Sequence, residues 1–526
     1  MKNRIAFLIL IAIICSGTFI SCTKDLSQKP TNGLTADEVY STPLGYKLAF
    51  AKVYGSFALT GNSGPGSGDI QGIDAGTSDF FRLYWYAQEF PTDEAVISWG
   101  DAGIQDFHNM NWSSNNQFLT GLYYRSMYQI TLANDFIRHA SDDNLSSHGI
   151  TGNDAETIKT FKAEARFLRA YQYSVLMDLF GNPPFATDSL QIGEIPKQID
   201  RKDLFNYIES ELKAIEPDLK APRTNEYGRA DQAADWALLA RIYLNAEVYT
   251  GTPRYKDAVT YSKKVIDAGY SLVPDYSWLM RADNNLNTDE FILTINYDGI
   301  HTQGYGGTTF LTHAPVGGSM VPAKFGISGG WAGARTTKNL PNLFPDYTGD
   351  KDSRAEFFTE GQNIDINDIT VFTDGFAVAK YKNITRSGAN GSSLDFSDID
   401  MPIFRLPEMY LTYAEATLRG GDGDAGLALE YVNKIRERAY GDNSGDISAS
   451  DLTLDFILDE RGRELYWEGY RRTDLIRYGK FTSGTYVWPW KGGVKSGTGT
   501  QDYHKIYPLP VKDVSANPNL VQNPGY

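Results

Sequence analysis

The sequence predicts a mainly α-helical fold in which neighbouring helices form pairs and carry a loop-rich region. The first observation is that apolar residues recur at helical spacing, three or four positions apart, through many segments. The second is that these segments follow one another closely, separated by short turns. The third is that long glycine-rich stretches interrupt the helical pattern. We therefore expect a tetratricopeptide-like scaffold of degenerate repeats, since the strict sequence signature of that repeat is absent.

The predicted helical scaffold occupies two parts of the chain, about residues 116–269 and about residues 402–481. In the first part, apolar residues between positions 161 and 179 share one face, and the glycine and prolines at 181–184 end the helix. A second periodic segment runs from Tyr255 to Ile266 and ends before Gly269. The remaining amphipathic segments are residues 116–140, 203–216, 230–247, 407–419, 425–439 and 452–468.

The predicted ligand-binding region is rich in loops and covers about residues 60–115 and 283–400. Residues 61–79 and 299–333 are rich in glycine, and the second stretch also holds several aromatic residues. Because disordered linkers contain few aromatics, these loops are expected to be ordered. Two short runs, at 370–372 and 377–380, have the composition of strands. Residues 507–526 contain four prolines and predict an extended strap without a helix.

Residues 459–481 hold the densest charge in the chain, with five acids interleaved with five arginines. Helical spacing brings acids and arginines together, and Gly469 is placed to end the helix. Arginine neighbours would keep each acid ionised, which is unsuited to a general acid. We therefore interpret the stretch as a partly buried clamp that joins the last helix to the strap. Substitution of Arg461 or Glu464 is expected to lower stability before it lowers ligand affinity.

The first 21 residues predict a secretory signal peptide, because Lys2 and Arg4 precede an apolar run at 5–15. Cys22 directly follows Ser21, an arrangement that resembles the bacterial lipobox, although Phe19 replaces the usual aliphatic residue. Cys22 is therefore the expected site of lipid attachment and residues 22–34 the expected tether, with a fortuitous cysteine as the alternative. The other cysteine lies within the signal, so the mature chain is expected to form no internal disulfide. Residues 35–526 are expected to form a single body.

Charge and motif searches argue against several functional classes. The formal net charge of −16, from 49 Lys and Arg against 65 Asp and Glu, disfavours nucleic-acid binding in the absence of a basic patch. The six histidines never lie three to five residues apart, which removes helical zinc motifs and weakens a Ser-His-Asp triad. The G-x-G-x-x-G pattern at residues 421–426 follows a predicted helix and carries two aspartates, so we interpret it as a turn between helices.

Two patterns of polar residues leave alternatives open. Paired acids, Glu89 with residues 93–94 or Glu464 with Glu468, are candidates for a glycoside hydrolase, but the sequence does not place them opposite one another. A second pattern alternates like the first half of a calcium loop, although threonines replace the turn glycine and the bidentate glutamate. The candidate calcium ligands are Asp283, Asn285, Asn287 and Asp289. An ordinary polar turn is the alternative.

Several stretches, spread from one end of the chain to the other, follow a specific order. They are Cys22, AEARFLRAY at 163–171 followed by LFGNPP at 179–184, ALLARIYL at 237–244, residues 459–481, NPNL at 517–520 and NPGY at 523–526. Together they resemble the SusD/RagB family, the glycan-binding lipoproteins of Bacteroidetes outer membranes. The resemblance implies a helical, tetratricopeptide-like body that is displayed on the cell surface. It also implies binding of glycan without cleavage, no cofactor, and a TonB-dependent transporter as the partner to which oligosaccharide is delivered.

Two further stretches, GTSDFFR at 76–82 and TDEAVISW at 92–99, look like the starch-binding branch of this family. In that branch an arc of aromatic rings matches the curve of an α-glucan. By this likeness Trp99, Tyr297 and Trp331 are assigned to the arc, and core packing is the alternative for each. Arg82 and Asp101 are assigned to hydrogen bonds with sugar hydroxyls. Alternative functions are binding of a different glycan, glycoside hydrolysis, or protein binding by a tetratricopeptide-type adaptor.

Overall fold

The computed structural model of the chain describes residues 35–191 and 193–526. The predicted signal peptide, the predicted lipid-attachment residue Cys22 and the predicted tether lie outside the described residues. Within the two described ranges, no helix combines the length and the apolar character needed to cross a bilayer.

Helices form most of the regular structure, which confirms the predicted mainly α-helical fold class. The helices are α1 (Ala36–Val39), α2 (Pro43–Ala58), α3 (Phe80–Glu89), α4 (Asp106–Asn109), α5 (Gln117–His139), α6 (Asp142–Ser147), α7 (Gly152–Phe180), α8 (Arg201–Ile215), α9 (Gln232–Leu244), α10 (Ala246–Thr250), α11 (Tyr255–Ile266), α12 (Gly307–His313), α13 (Leu406–Leu418), α14 (Ala425–Tyr440), α15 (Leu454–Leu465), α16 (Arg471–Arg477) and α17 (Val511–Ala516). Short 3₁₀ helices lie at Ala75–Thr77, Glu216–Asp218, Tyr276–Met280, Asn284–Leu286, Pro322–Phe325, Pro341–Leu343, Asn443–Gly445, Lys491–Gly493 and Asp502–Lys505.

The strands are short and pair antiparallel in twos. They are β1 (Val96–Ile97) with β5 (Ala334–Arg335), β2 (Pro184–Phe185) with β3 (Lys197–Gln198), β4 (Phe291–Ile295) with β8 (Met401–Arg405), and β6 (Phe357–Phe358) with β7 (Ala377–Val378). In the β4–β8 pair, Phe291 lies opposite Arg405 and Ile295 opposite Met401. The segment 296–400 therefore begins after β4 and ends at β8, and these two strands are paired with each other.

Successive helices pack side by side, as the close spacing of the amphipathic segments predicts. Helix α5 packs on α7 and α7 on α8, while α9, α11, α13 and α14 form a second row. Helix α5 begins at Asn116, whose side chain accepts hydrogen bonds from the backbone N–H groups of Phe118 and Leu119. Helix α7 ends at Gly181, whose φ of 70° is disfavoured for other residues. These paired helices form the expected tetratricopeptide-like scaffold.

One continuous apolar core joins the helical rows to the loop-rich segments. It contains buried residues from Tyr40 near the start of the described chain to Leu509 near its end. Two smaller clusters lie within the loop-rich part, one around Phe325 and one around Ile366. Buried apolar contacts therefore order the loops, as their embedded aromatics predict.

Several helices of the structure are not predicted from the sequence, among them α2, α3 and α12. Helix α2 precedes the predicted scaffold, and its periodicity is obscured because Leu44 and Leu48 are exposed. Helices α3 and α12 lie inside regions that were expected to be loops. The sequence of α3 begins FFRLYWY, an aromatic composition that favours strands, and tertiary packing overrides this preference. The side chain of Asp79 caps α3 by accepting a hydrogen bond from the N–H of Arg82 at 2.8 Å.

Two predictions about extended segments are wrong. Residues 370–372 form a turn instead of a strand, and only Ala377–Val378 of the second run is a strand. The strap contains α17, because Pro510 directly precedes the helix and Pro518 lies beyond its end. Proline supplies a suitable φ at a helix start and disrupts only a helix interior.

The charge-dense stretch is not one continuous helix ended by Gly469. Helix α15 ends at Leu465, and Trp467 adopts a φ of 63°, which is uncommon for a residue with a side chain. The backbone N–H of Trp467 donates to the carboxylate of Glu94 at 3.1 Å, and the indole N–H donates to the Glu94 carbonyl at 3.1 Å. These two hydrogen bonds hold the break between α15 and α16.

The same stretch forms a buried network of ion pairs that reaches several distant parts of the chain. The carboxylate of Glu464 lies 2.5 Å from the guanidinium of Arg405 and 2.5 Å from that of Arg438. It also lies 3.2 Å from the guanidinium of Arg354. The side chain of Glu464 is fully buried, and those of the three arginines are at most 4% exposed. The network thus joins α15 to β8, to α14 and to the segment between β4 and β8.

The predicted contact between the charge-dense stretch and the strap is one branch of this wider network. Arg472 donates to the carbonyl of Lys505 at 2.5 Å, and its guanidinium lies 4.9 Å from the ring centre of Tyr507. The clamp is therefore more deeply buried and connects more elements than its sequence predicts.

The arginines keep the central carboxylate ionised in the interior. Burial alone would raise the pKa of Glu464, but Arg438, Arg405 and Arg354 outweigh that effect and lower it to about 2. A buried charge of this kind depends on its partners, since removal of one member leaves the others without compensation.

Replacing Glu464 by glutamine should destabilise the protein by about 3 to 5 kcal/mol, because three buried arginines lose a shared counter-charge. Equilibrium unfolding in guanidinium chloride measures this change. Glu430→Gln is the matched control, since Glu430 pairs with Lys434 on an exposed helix face at 2.6 Å. The control should change the free energy of unfolding by less than about 1 kcal/mol. Equal effects of the two substitutions would contradict a structural role for the network.

Candidate ligand-binding site

The candidate site begins with Trp99, which follows β1. Strand β1 pairs with β5, and the pairing continues as the N–H of Ser98 donates to the carbonyl of Gly333 at 3.0 Å. The indole N–H of Trp99 donates to the carbonyl of Trp331 at 3.0 Å, and its ring remains half-exposed. A side chain at Gly333 would overlap the indole, so glycine is required for this close approach.

Trp331 lies beside Trp99, and the structure thus brings two of the three predicted aromatic residues together. The ring centres are 6.3 Å apart and the planes are inclined by 45°. The backbone N–H of Trp331 donates to the carbonyl of His313 at 2.8 Å, and its ring lies 4.9 Å from the His313 imidazole. Trp331 is half-buried, so the two indoles form a partly exposed aromatic surface on rigid backbone.

Arg82 lies beside Trp99 and is held in place by hydrogen bonds and ring contacts. Its Nε donates to the hydroxyl of Tyr86 at 2.8 Å, and Nη1 donates to the carbonyl of Tyr305 at 3.0 Å. The guanidinium carbon is 5.9 Å from the centre of the Trp99 ring and 5.1 Å from that of Phe310. Because a guanidinium has five donors, further hydrogen bonds to a ligand are available to it.

Tyr305 is a site residue that sequence reasoning did not assign. Its side chain is 49% exposed, and its ring lies 5.8 Å from that of Phe396 at an angle of 50°. Its carbonyl accepts the hydrogen bond from Arg82, so the Tyr305 backbone lies on the Arg82 side of the candidate site. Its only mark in the sequence is that it is an aromatic residue within the glycine-rich stretch 299–333. That stretch matches none of the family-like segments, so the sequence does not show where the ring lies.

Asp101 lies in the turn after Trp99, with its side chain exposed. Burial raises the pKa of the Tyr86 hydroxyl, Arg82 opposes this shift, and the charge of Asp101 adds to it. That electrostatic effect places the Asp101 carboxylate near the Arg82–Tyr86 pair. A carboxylate and a guanidinium beside exposed rings can bind hydroxyl groups while the rings contact apolar faces.

Tyr297 is the most buried of the three predicted aromatic residues. Its side chain is only 8% exposed, and a side chain at Gly307 would overlap its ring, whose position therefore depends on a glycine with a φ of 51°. The Tyr297 hydroxyl has no hydrogen-bond partner among the described residues. The ring is therefore mostly buried, and the assignment of Tyr297 to the arc stays a prediction beside the core-packing alternative.

The charge-dense stretch supports the segment that leads into the site. Arg471 binds Asp93 through two hydrogen bonds, at 2.7 and 2.8 Å. The carboxylate of Glu89 accepts hydrogen bonds from the backbone N–H groups of Gly469 at 2.6 Å and Tyr470 at 3.2 Å. Residues 89–94, which connect α3 to β1, are thus fixed by residues almost four hundred positions later in the chain.

The paired acids that the sequence suggested for hydrolysis are buried in this support. Glu89 and Glu94 are 0% and 2% exposed, and Glu464 and Glu468 are 0% and 3% exposed. Glu468 binds Arg405 at 2.7 Å and Lys380 at 2.7 Å. A substrate cannot reach these carboxylates, so neither pair is arranged as the acid and base of a glycoside hydrolase.

The candidate calcium ligands bind arginines instead of converging on one point. Asp283 accepts a hydrogen bond from the N–H of Arg386 at 3.0 Å, and Asn287 contacts the Arg386 guanidinium. Asp289 lies 2.6 Å from Arg223. Asn285 is exposed. Among the described residues, no group of three or more His, Cys, Asp or Glu side chains could hold a metal ion. The calcium site stays a prediction, which a fall in melting temperature on chelation would support.

Comparisons with known proteins address the family directly. The chain is 35% identical to the starch-binding protein SusD of Bacteroides thetaiotaomicron over an alignment that covers 98% of each chain. The chain belongs to the SusD family. A family model described as "SusD family" matches residues 353–526. The SusD-like protein P2 of Formosa agariphila is 25% identical over the whole of both chains.

Solved structures of SusD-type proteins share the fold. The surface glycan-binding protein A from Bacteroides fluxus superposes with a TM-score of 0.70 at 22% identity, covering 92% of this chain and 100% of that one. The surface glycan-binding protein A from Bacteroides thetaiotaomicron, in complex with laminarihexaose, gives a TM-score of 0.68 at 21% identity, covering 91% and 98%. At these identities the likeness establishes the fold alone, and the expected family membership is confirmed by the curated relative.

The buried carboxyl group of Glu89, in the segment that leads into the site, predicts that stability depends on pH. Burial raises the pKa of Glu89 to about 7 from a usual value of 4.5, despite hydrogen bonds from the backbone N–H groups of Gly469 and Tyr470 that lower it. The folded protein therefore holds this proton more tightly than the unfolded chain does. Its contribution to the free energy of unfolding falls as pH rises from about 4.5 to about 7.

The substitution Glu89→Gln should remove this dependence, since an amide does not ionise and its carbonyl can still accept from the N–H groups of Gly469 and Tyr470. The wild-type protein should lose about 3 kcal/mol relative to the variant between pH 4.5 and pH 8. Urea unfolding at a series of pH values measures the difference. Curves that stay parallel over this range would show that Glu89 does not carry the proton.

Proposed function

We propose that this protein binds starch or malto-oligosaccharide at the cell surface without cleaving it. The observation that carries the proposal is the 35% identity over 98% of the chain to a starch-binding protein. The half-exposed indoles of Trp99 and Trp331 support it, because flat aromatic rings pack on the apolar C–H faces of glucose. The exposed ring of Tyr305 extends this surface.

The polar groups beside the rings suit hydroxyl recognition. Arg82 is fixed by Tyr86 and by the Tyr305 carbonyl, so it loses little conformational freedom when a sugar binds. Asp101 supplies an exposed acceptor in the turn after Trp99. The acids that could have formed a catalytic pair are buried in the support network. These features favour binding over hydrolysis.

The proposal includes delivery of the glycan to a TonB-dependent transporter and attachment to the outer membrane through lipid on Cys22. The lipobox-like position of Cys22 in the sequence supports the anchor. Family membership supports the transporter as partner. Co-purification from membranes with and without Cys22→Ala tests both elements. The variant should be absent from the membrane fraction and should no longer co-purify with the transporter.

The ligand is tested with a panel of glycans by isothermal titration calorimetry. Maltoheptaose and pullulan should bind, and laminarihexaose, the ligand in the complex of a structural relative, should bind at least about tenfold more weakly. Absence of binding to starch, pullulan and maltoheptaose would contradict the α-glucan assignment. Release of reducing sugar from any of them would contradict the non-catalytic function.

The substitution Trp99→Ala should weaken maltoheptaose binding by about tenfold or more, since a partly exposed aromatic at the centre of an interface contributes about 2 kcal/mol. Calorimetry measures the dissociation constant, and differential scanning calorimetry shows whether the variant remains folded. The matched control is Trp278→Ala, because Trp278 is also half-buried but contacts Arg386, with a distance of 4.6 Å to its ring centre. The control should leave the affinity unchanged. Unfolding of the Trp99 variant would favour the core-packing alternative for that residue.

A further inference from the structure

An apolar cavity lies under α2, apart from the aromatic surface. Its volume is about 370 Å³, within the range of small-molecule sites. Helix α2 forms one wall, with Phe50 and Phe57, and α7 contributes Phe161. Strands β4 and β8 form the opposite wall, with Leu293 and Ile403. The cavity therefore has mainly hydrocarbon walls built from four elements of the scaffold.

The polar groups in the walls are already occupied. The Tyr54 hydroxyl donates to Glu164 at 2.7 Å and accepts from the N–H of Ala230 at 2.9 Å. Arg229 binds the same carboxylate of Glu164 through two hydrogen bonds, and its guanidinium lies 4.9 Å from the Phe161 ring centre. The interior thus has few free hydrogen-bonding groups for a sugar, which would leave its hydroxyls unpaired there.

A lysine that forms no ion pair with the described residues lies at the mouth of the cavity. Lys47 lines the mouth and is exposed, and it has no ion pair or hydrogen bond within residues 35–191 and 193–526. Glu226, which also lines the cavity, lies 3.3 Å from Arg229. A ligand with a negative group at one end would complement Lys47 while its apolar part enters the cavity.

An exposed apolar path leads along α2 to this mouth. Leu44 and Leu48 are 65% and 63% exposed. With Ala51 and Gly55, which line the cavity, they recur every three or four positions and share one face of the helix. Neighbouring exposed leucines are unusual on a free surface and are typical of contact with apolar ligands or partners.

We propose that this cavity binds one alkyl chain of an anionic amphiphile, with the anionic group beside Lys47. The walls exclude sugar but favour methylene groups, each of which adds to the hydrophobic free energy of binding. The same chemistry has two sources, a free fatty acid or an acyl chain of an anionic membrane lipid. This site is separate from the glycan surface and does not depend on its assignment.

Gly55 offers a direct test of where the alkyl chain binds. A Cβ at this position would have no other atom within 4 Å, so a larger side chain can enter the cavity without disturbing its neighbours. Gly55→Leu should fill the cavity and weaken binding of dodecanoate by at least tenfold. Gly55→Ala is the matched control, because it introduces the same helix-favouring change with only one added carbon, and it should leave the affinity within about threefold.

The experiment is a calorimetric titration of the full chain carrying Cys22→Ala, which removes the predicted site of lipid attachment, with dodecanoate at pH 8. Lys47→Glu should also weaken binding by at least tenfold, while Lys202→Glu, an exposed lysine on α8, should not change it. Co-sedimentation with phosphatidylglycerol vesicles identifies the source of the ligand. Binding to vesicles that Gly55→Leu weakens indicates a membrane lipid. Binding of dodecanoate without binding of vesicles indicates a free fatty acid. No binding of either probe, or binding that neither Gly55→Leu nor Lys47→Glu weakens, would overturn the proposal. Unchanged maltoheptaose affinity in both variants would show that they remain folded.

Discussion

The buried network of arginines and carboxylates around α15 and α16 is the interaction on which much of the remaining structure depends. Glu464 lies against arginines from three separate parts of the chain, while Arg471 and Glu89 fix the segment that precedes Trp99. Ionised groups tolerate the protein interior only when partners surround them. The position of the ligand surface is therefore set by charges that do not touch it.

This arrangement explains why the charge-dense stretch is easily mistaken for chemistry. Catalytic sites and structural ion networks both gather ionisable residues at helical spacing and shift their pKa values. The two cases differ in access. Glu460 and Glu464 are fully buried and surrounded by guanidinium groups, which lower their pKa values despite burial, so they remain charged and unavailable to a substrate. The candidate ligand surface instead contains the partly buried indoles of Trp99 and Trp331.

The fold could be predicted from sequence where local patterns determine structure. The amphipathic segments behind α5, α7 and α11 have one buried face and clear end signals, and their bounds agree with the structure within a few residues, except that α7 begins earlier. Helix α3 could not be predicted, because its aromatic residues favour strand and only the surrounding core makes the helix stable. The break at Trp467 depends on Glu94, a partner nearly four hundred residues away that no local pattern reveals.

The candidate site also has residues that the sequence could predict and residues that it could not. Resemblance to the family assigned Arg82 and Trp99 from two short stretches and Trp331 from a glycine-rich loop, and the structure brings these three residues together. It assigned Tyr297 to the surface, although that ring is buried against Gly307, and it left Tyr305 unassigned. Both residues lie in the segment between β4 and β8, where sequence alone does not fix which aromatic faces outward. Three-dimensional packing decides between neighbouring rings of similar composition.

The pairing of β4 with β8 has an evolutionary consequence. Because the segment 296–400 leaves and rejoins the scaffold at adjacent strands, its length and sequence can change without moving the helices on either side. Ligand preference can therefore diversify while the frame, which is the helical scaffold with β4 and β8, stays the same. Among the positions that limit this freedom are Arg354 and Lys380, which pair with Glu464 and Glu468 of the frame. Grafts that exchange recognition loops between relatives should retain those two basic residues.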